Sequence, residues 1–179
     1  MSSIFLIGVI LAILSSSLAL AYARREAAGL PDITSLRNRS SSSTSVMFDG
    51  LGREVGRFAE ENRMPVPLQA IPPLVIGAFI SAEDRNYFNH NGVDFRALAR
   101  AGLQNFRGRS SGRRPVGAST ITQQVAKNLL VGDEFSIRRK LREMMVAIRM
   151  DRDLGKNRVL ELYLNEIYLG EGSYGVGAA

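Results

Sequence analysis

From Ile4 to Ala23 the chain carries no charged side chain and consists mostly of Ile, Leu, Val and Ala. No other stretch restricts the folding so strongly. Wound as an α-helix at about 1.5 Å per residue, the run reaches roughly the 30 Å of a bilayer core. We read it as one transmembrane helix. Ser15, Ser16 and Ser17 interrupt the apolar character, but hydroxyls can bond back to helix carbonyls. The rival reading is a cleaved signal peptide, cut after Ala19-Leu20-Ala21 or Ala21-Tyr22-Ala23. Against it, Met1 to Ser3 lack the basic segment that precedes such a peptide. Arg24 and Arg25 follow the run and nothing basic precedes it, so charge alone places the downstream part in the cytoplasm.

The residues beyond the anchor suffice for one soluble domain. Residues 24–45 are polar, with Leu30-Pro31 and the run Ser40 to Ser43, and read as a linker. The expected organisation is therefore an anchor over 1–23, a linker over 24–45 and a domain over 46–179. The absence of cysteine excludes a disulfide framework and a thiolate metal site. The net charge of +6 invites a nucleic-acid reading. The aromatics, however, do not alternate with the basic residues as a base-stacking platform requires, so no nucleic-acid partner is expected. A basic domain beside a membrane faces anionic lipid heads or a diphosphate substrate more simply.

Asp49-Gly50 inside Val46 to Phe58 signals a hairpin. Pro73 suits the first turn of a helix running to about Asp84. Asp94 is placed to cap a helix from Phe95 to Phe106, and Ser136 to cap another that runs to about Asp151. A further helix starts near Lys156, and Gly170, Gly172, Gly175 and Gly177 break the pattern after it. The loop from Arg107 to Gly117 is rich in Gly, Ser and Arg. Apart from the hairpin, the domain reads as helical.

Two segments carry the candidate chemistry. Gly117 to Leu130, wound from Ser119, puts Ile121, Val125 and Leu129 on one stripe. Thr120, Gln124 and Lys127 then stack on the other side as a hydroxyl, an amide and a cation, a ridge suited to an oxygen-rich anion. Thr and Asn are poor interior helix formers, so something besides propensity sets Thr120, Gln123, Gln124, Lys127 and Asn128. The bland alternative is a solvated helix face. Glu83 and Asp84 close an apolar helix beside Tyr87 and Phe88. A carboxylate against apolar surface has its charged form disfavoured, which suits proton transfer; the bland reading is a solvated helix end. His90, the only histidine, reads more simply as a structural hydrogen-bonder than as a zinc ligand. Arg139 and Glu143, at i and i+4, read at their plainest as a surface ion pair worth a few tenths of a kcal/mol.

Four segments in order resemble glycosyltransferase family 51, the peptidoglycan glycosyltransferase domain of class A penicillin-binding proteins and monofunctional transglycosylases. They are Glu83-Asp84-Arg85 with His90 and Gly92-Val93-Asp94; Gly117 to Asn128; Arg139-Lys140 with Glu143 and Ala147; and Glu161 to Asn165 followed by Ile167 to Gly170. The resemblance runs from Leu30 to Ala179. It implies a mainly α, lysozyme-like lobe with a smaller membrane-proximal part, acting on lipid II and a nascent glycan strand. Glu83 would be the general base and Glu143 the second carboxylate. Lys127 and Arg139 would serve the departing diphosphate, with a divalent cation, Mg or Mn, bound alongside it, and Lys140 would join the substrate-binding residues. Ser119, Thr120, Gln123, Gln124 and Asn128 would line the cleft. Asp84, Tyr87 and His90 would complete the substrate-binding set.

It also implies a single-pass protein of the bacterial inner membrane with its catalytic domain outside the cytoplasm, against the charge count, among other cell-wall synthesis proteins. Two departures stand out. Relatives often carry an arginine where Glu134 and Phe135 fall, and the family's domain usually continues past Ala178-Ala179. The expectation is a piece of a bifunctional synthase, without transpeptidation by this chain. The competing readings are a lysozyme-like hydrolase using Glu83 as acid and a non-catalytic, membrane-tethered lipid II-binding module.

Overall fold

The computed structural model describes residues 2–37, 39, 45–58, 62–108, 116–132, 134 and 136–179. The serine run at 40–43, most of the loop at 109–115, and Asp133 and Phe135 lie outside them. The chain forms two compact units, Met1–Asp32 and Ile33–Ala179.

The first unit is essentially helix α1, Ser2–Ala28. It continues past Ala23 because Ala23 to Ala28 hold no residue that breaks a helix; Gly29 and Pro31 come only afterwards. Among the described residues it is the one helix long and apolar enough to cross a membrane.

The second unit begins with a short 3-10 turn, Thr34–Leu36, and the expected hairpin follows it. Strands β1 (Ser45–Phe48) and β2 (Glu54–Phe58) pair antiparallel, Ser45 opposite Phe58, with an irregularity between Met47 and Phe48. Asp49 sets the turn: its Oδ1 accepts from the backbone N–H of Leu51 and of Arg53, each at 2.9 Å. Strand β3 is short, Asn62–Arg63. Helix α2, Pro73–Glu83, starts with Pro73 in its first turn, where the missing N–H costs nothing. Helix α3, Phe95–Gly108, is capped by Asp94, whose Oδ1 accepts from Ala97 N at 2.9 Å.

Helix α4, Ile121–Ala126, is short and widens into a π-helical turn over Lys127–Val131. Helix α5, Ile137–Leu154, is capped by Ser136, whose hydroxyl accepts from Arg139 N at 3.0 Å. It ends at Gly155, where φ of 78° favours glycine. Helix α6 is Lys156–Glu166.

The last strands, β4 (Tyr168–Gly170) and β5 (Ser173–Tyr174), correct the expectation of a single hairpin. β5 pairs antiparallel with β4 and parallel with the distant β3, giving a three-stranded sheet. Asn165 reinforces the junction by accepting from Val66 N at 2.8 Å and donating to Val66 O at 2.9 Å.

The core lies where α4 packs between α5 and α6. Ile121, Val125 and Ala126 meet Val146, Ala147 and Met150 and, from the other side, Val159, Leu160 and Leu164, all nearly inaccessible. Leu129, expected on the same stripe, is only half-buried, because the π turn has rotated it off the line. Gly92 fixes how closely the loop before α3 approaches α5. A Cβ there would stand 2.4 Å from Ala147 O, and its φ is +83°.

Candidate active site

Three chain segments converge on the start of α4. Asp84, buried just past the end of α2, accepts from Ile121 N at 3.1 Å through Oδ2. The same carboxylate binds His90 Nε2 at 2.9 and 3.1 Å. Thr120 is the N-cap of α4, not a residue of its ridge. Its Oγ1 accepts from Gln123 N at 3.2 Å and donates to Gly92 O at 2.6 Å. Gln123 Oε1 accepts in turn from Thr120 N at 3.1 Å, completing a capping box. The consequence is geometric: the Glu83–Gly92 segment cannot shift without disturbing the beginning of α4.

Glu83 sits at the exposed end of α2, and its Oε2 accepts from Gln124 Nε2 at 2.9 Å. It does not pack on the Tyr87–Phe88 pair as the sequence suggested. Those rings contact each other instead, centroids 5.1 Å apart at 72°. Glu83 lines a cavity of about 150 Å³ with Arg85, Arg100, Gly117, Ser119 and Thr120. A larger depression of about 700 Å³ lies beyond the Asn86–Asp94 hydrogen bond and is lined by Asn89, His90, Phe95 and Arg96 among others. Asp94 there is already committed to Asn86 and to the α3 cap. The N–H of Ala97, and next the Asn86 amide, hold its carboxyl below the usual carboxylate range.

The second carboxylate is deeply placed. Glu143 is 2% exposed, which overturns the surface ion-pair reading. Arg139 Nη1 donates to its Oε2 at 2.6 Å, Gln123 Nε2 donates to Oε1 at 3.2 Å, and Lys140 Nζ makes a short contact to the same Oε1. Lys140 also donates to Ser119 Oγ at 2.9 Å. Gln123 and Ser119 thus connect the Glu143 cluster to the wall of the Glu83 cavity.

Lys127 is half-buried where α4 widens, three residues after the Gln124 that holds Glu83, and it is not among the residues lining the Glu83 cavity. Asn128 beside it is exposed. Tyr87, named with the substrate-binding residues, is a core residue with no exposure. Its hydroxyl donates to Lys156 O at 2.7 Å, so it supports the loop from beneath instead of facing a ligand. Lys156 completes that support, pairing with Asp151 at 2.6 Å and donating to His90 O at 2.5 Å. Sequence reasoning overlooked Arg100, which has no motif around it, and gave Tyr163 no role beyond its place in the fourth of the resembling segments.

Residues 51–179 match the transglycosylase family. The chain belongs to that family. Among its relatives, the penicillin-binding protein 1A of Aquifex aeolicus (strain VF5) is 43% identical over 150 residues, 84% of this chain and 20% of that protein. The penicillin-binding protein 1A of Escherichia coli (strain K12) is 41% identical over 154 residues, 84% of this chain and 17% of that protein. The chain spans about a fifth of the length of these curated relatives. The fold class expected from the sequence, a mainly helical, lysozyme-like transglycosylase lobe with a small hairpin, is the one found. The two carboxylates and the basic residues around them therefore belong to a transglycosylase scaffold.

Proposed function

We propose that the chain polymerises lipid II into β-1,4-linked glycan, releasing undecaprenyl diphosphate, as the glycosyltransferase part of a class A penicillin-binding protein. The observation that carries this is the Glu83–Gln124 hydrogen bond. Among the described residues, it ties the one carboxylate lining the Glu83 cavity with no cationic partner or helix-capping role to the helix that leads into Lys127. Glu83 takes the proton from the 4-hydroxyl of the acceptor sugar as that oxygen attacks the donor's anomeric carbon. The new C–O bond forms with inversion while the bond from that carbon to the diphosphate oxygen breaks. A base within hydrogen-bond reach of the hydroxyl contributes about 10²- to 10⁴-fold. The leaving diphosphate gathers negative charge, which Lys127, Arg139 and Lys140 stabilise. Ser119, Gln124 and Asn128 supply polar contacts to the sugars, while Asp84, His90, Thr120 and Gln123 keep the frame in register.

A divalent ion, Mg or Mn, would come with the substrate diphosphate and not be caged by the protein alone. Among the described residues no group of three acidic or histidine side chains comes together, and Glu143 is already engaged by Arg139, Lys140 and Gln123. No step is routed through such an ion. The partners under this reading are lipid II, the growing strand and the bilayer. The location is the bacterial inner membrane, with the catalytic unit on the outer side.

Labelled lipid II supplied to the protein in detergent tests the reading. Glycan polymer is expected, and Glu83→Gln should reduce its rate by at least about 10²-fold with the fold unchanged. Full activity in Glu83→Gln would reject Glu83 as the base. Cleavage of finished peptidoglycan in place of synthesis would favour a hydrolase.

A further inference from the structure

Tyr163 of α6 is 2% exposed, yet its buried hydroxyl has no hydrogen-bond partner among the described residues. Such a group is costly to retain, since phenylalanine fills the same space without it. Tyr87, the other deeply buried tyrosine, makes the contrast plain, because its hydroxyl is spent on Lys156 O. The ring of Tyr163 is held in place by Phe79 of α2, edge-on, with centroids 6.0 Å apart at 78°. Phe79 and Glu83 are four residues apart on α2 and share one face of it. On that face the Glu83 carboxylate uses Oε2 for Gln124, while Oε1 accepts nothing among the described residues. Burial first, and then the Glu83 charge, push the Tyr163 pKa upward, so the phenol stays a proton donor across the working pH range.

We propose that Tyr163 is a positioning residue whose hydroxyl donates to the free oxygen of Glu83, clamping the carboxylate between α4 and α6. Gln124 then holds one oxygen and Tyr163 the other, which fixes the direction of the lone pair that receives the acceptor's proton. A hydrogen bond donated to a carboxylate favours the charged over the neutral form. The proposal rests on the reading of Glu83 as the base, and its test separates the two.

The test is Tyr163→Phe in the full chain, read in two ways. Carbon-13 NMR of labelled glutamate side chains follows the Glu83 titration without any need for turnover. Its midpoint should rise in the variant, because the charged form loses a donor. An unchanged midpoint overturns the proposal. Polymerisation of labelled lipid II should lose on the order of tenfold or more in kcat, with KM little changed and the acidic limb of the pH profile moved upward. A fall in kcat without movement of that limb would assign Tyr163 to packing alone and overturn the clamp. Thermal melting checks the fold, since loss of one hydrogen bond at the site leaves the midpoint only slightly lower. In a Glu83→Gln background, Tyr163→Phe should cost nothing more, and a multiplied loss would also overturn it. Full activity of Glu83→Gln alone, with the NMR shift intact, would sink the base reading and leave the contact standing.

Discussion

Glu143 shows how burial decides the meaning of a residue. As a surface pair, Arg139 and Glu143 would matter by a few tenths of a kcal/mol. At 2% exposure, with Arg139 and Lys140 both on the carboxylate, the scale changes. Removing one member of a buried ion cluster strands its partners and costs about 3–5 kcal/mol. Glu143→Ala should therefore lower the urea midpoint by an amount corresponding to that range, tempered by the partial exposure of Lys140. A loss below about 1 kcal/mol would mean that the cluster is solvated after all. The types and spacing of Arg139, Lys140 and Glu143 were legible in the sequence, but their depth was not. The i,i+4 spacing says which side chains can meet, whereas depth depends on Gln123 arriving from another helix. Asp84 carries the same lesson. Its partner is the N–H of Ile121, far along the chain, and no local pattern records such a bond.

Elements with their own punctuation were readable in advance. Pro73, Asp94 and Ser136 each mark a helix start by a mechanism confined to one turn. Two features had no such mark. The π turn after Ala126 follows from packing, because a strictly α-helical continuation would keep Leu129 on the buried stripe. The pairing of β3 with β5 joins two-residue strands far apart in sequence, too short to show an alternating pattern. The Asp94 cap allows a pH test. Its carboxyl is held below the usual value, so its stabilising contribution is complete above the unfolded value of about 3.9 and fades as pH falls through the lowered folded value. Asp94→Ala should cost about 1 kcal/mol at neutral pH. The gap between the two proteins in denaturant midpoint should then narrow once the pH drops below about 4. A gap that stays constant from neutral to strongly acidic solution would show that the cap does not depend on the charge.

For the molecule as a whole, the two units call for different solvents. Met1–Asp32 is one apolar helix, whereas Ile33–Ala179 has its own core of α4, α5 and α6 and a polar candidate site. The chain also carries a net charge of +6, so two forces can hold it to an anionic membrane. They respond differently to salt. Attraction of basic side chains to lipid heads is largely screened at about 1 M salt, where the Debye length is about 3 Å. Insertion of an apolar helix scales with buried hydrocarbon and is not weakened by salt. The protein should therefore stay with sedimented vesicles through a wash of about 1 M salt and come off only in detergent. Release by salt alone would mean that α1 does not span the bilayer and that charge is what holds the chain. Retention would bear on the proposed chemistry as well, because a tether confines the Glu83 cavity to the neighbourhood of lipid-linked sugars and raises their effective concentration there. On that account, substituting Arg for Leu11 and Leu14 in α1 should weaken retention and reduce polymerisation from vesicle-borne lipid II, while leaving activity on detergent-dispersed lipid II nearly intact. Equal loss in both assays would assign the effect of α1 to folding and not to tethering.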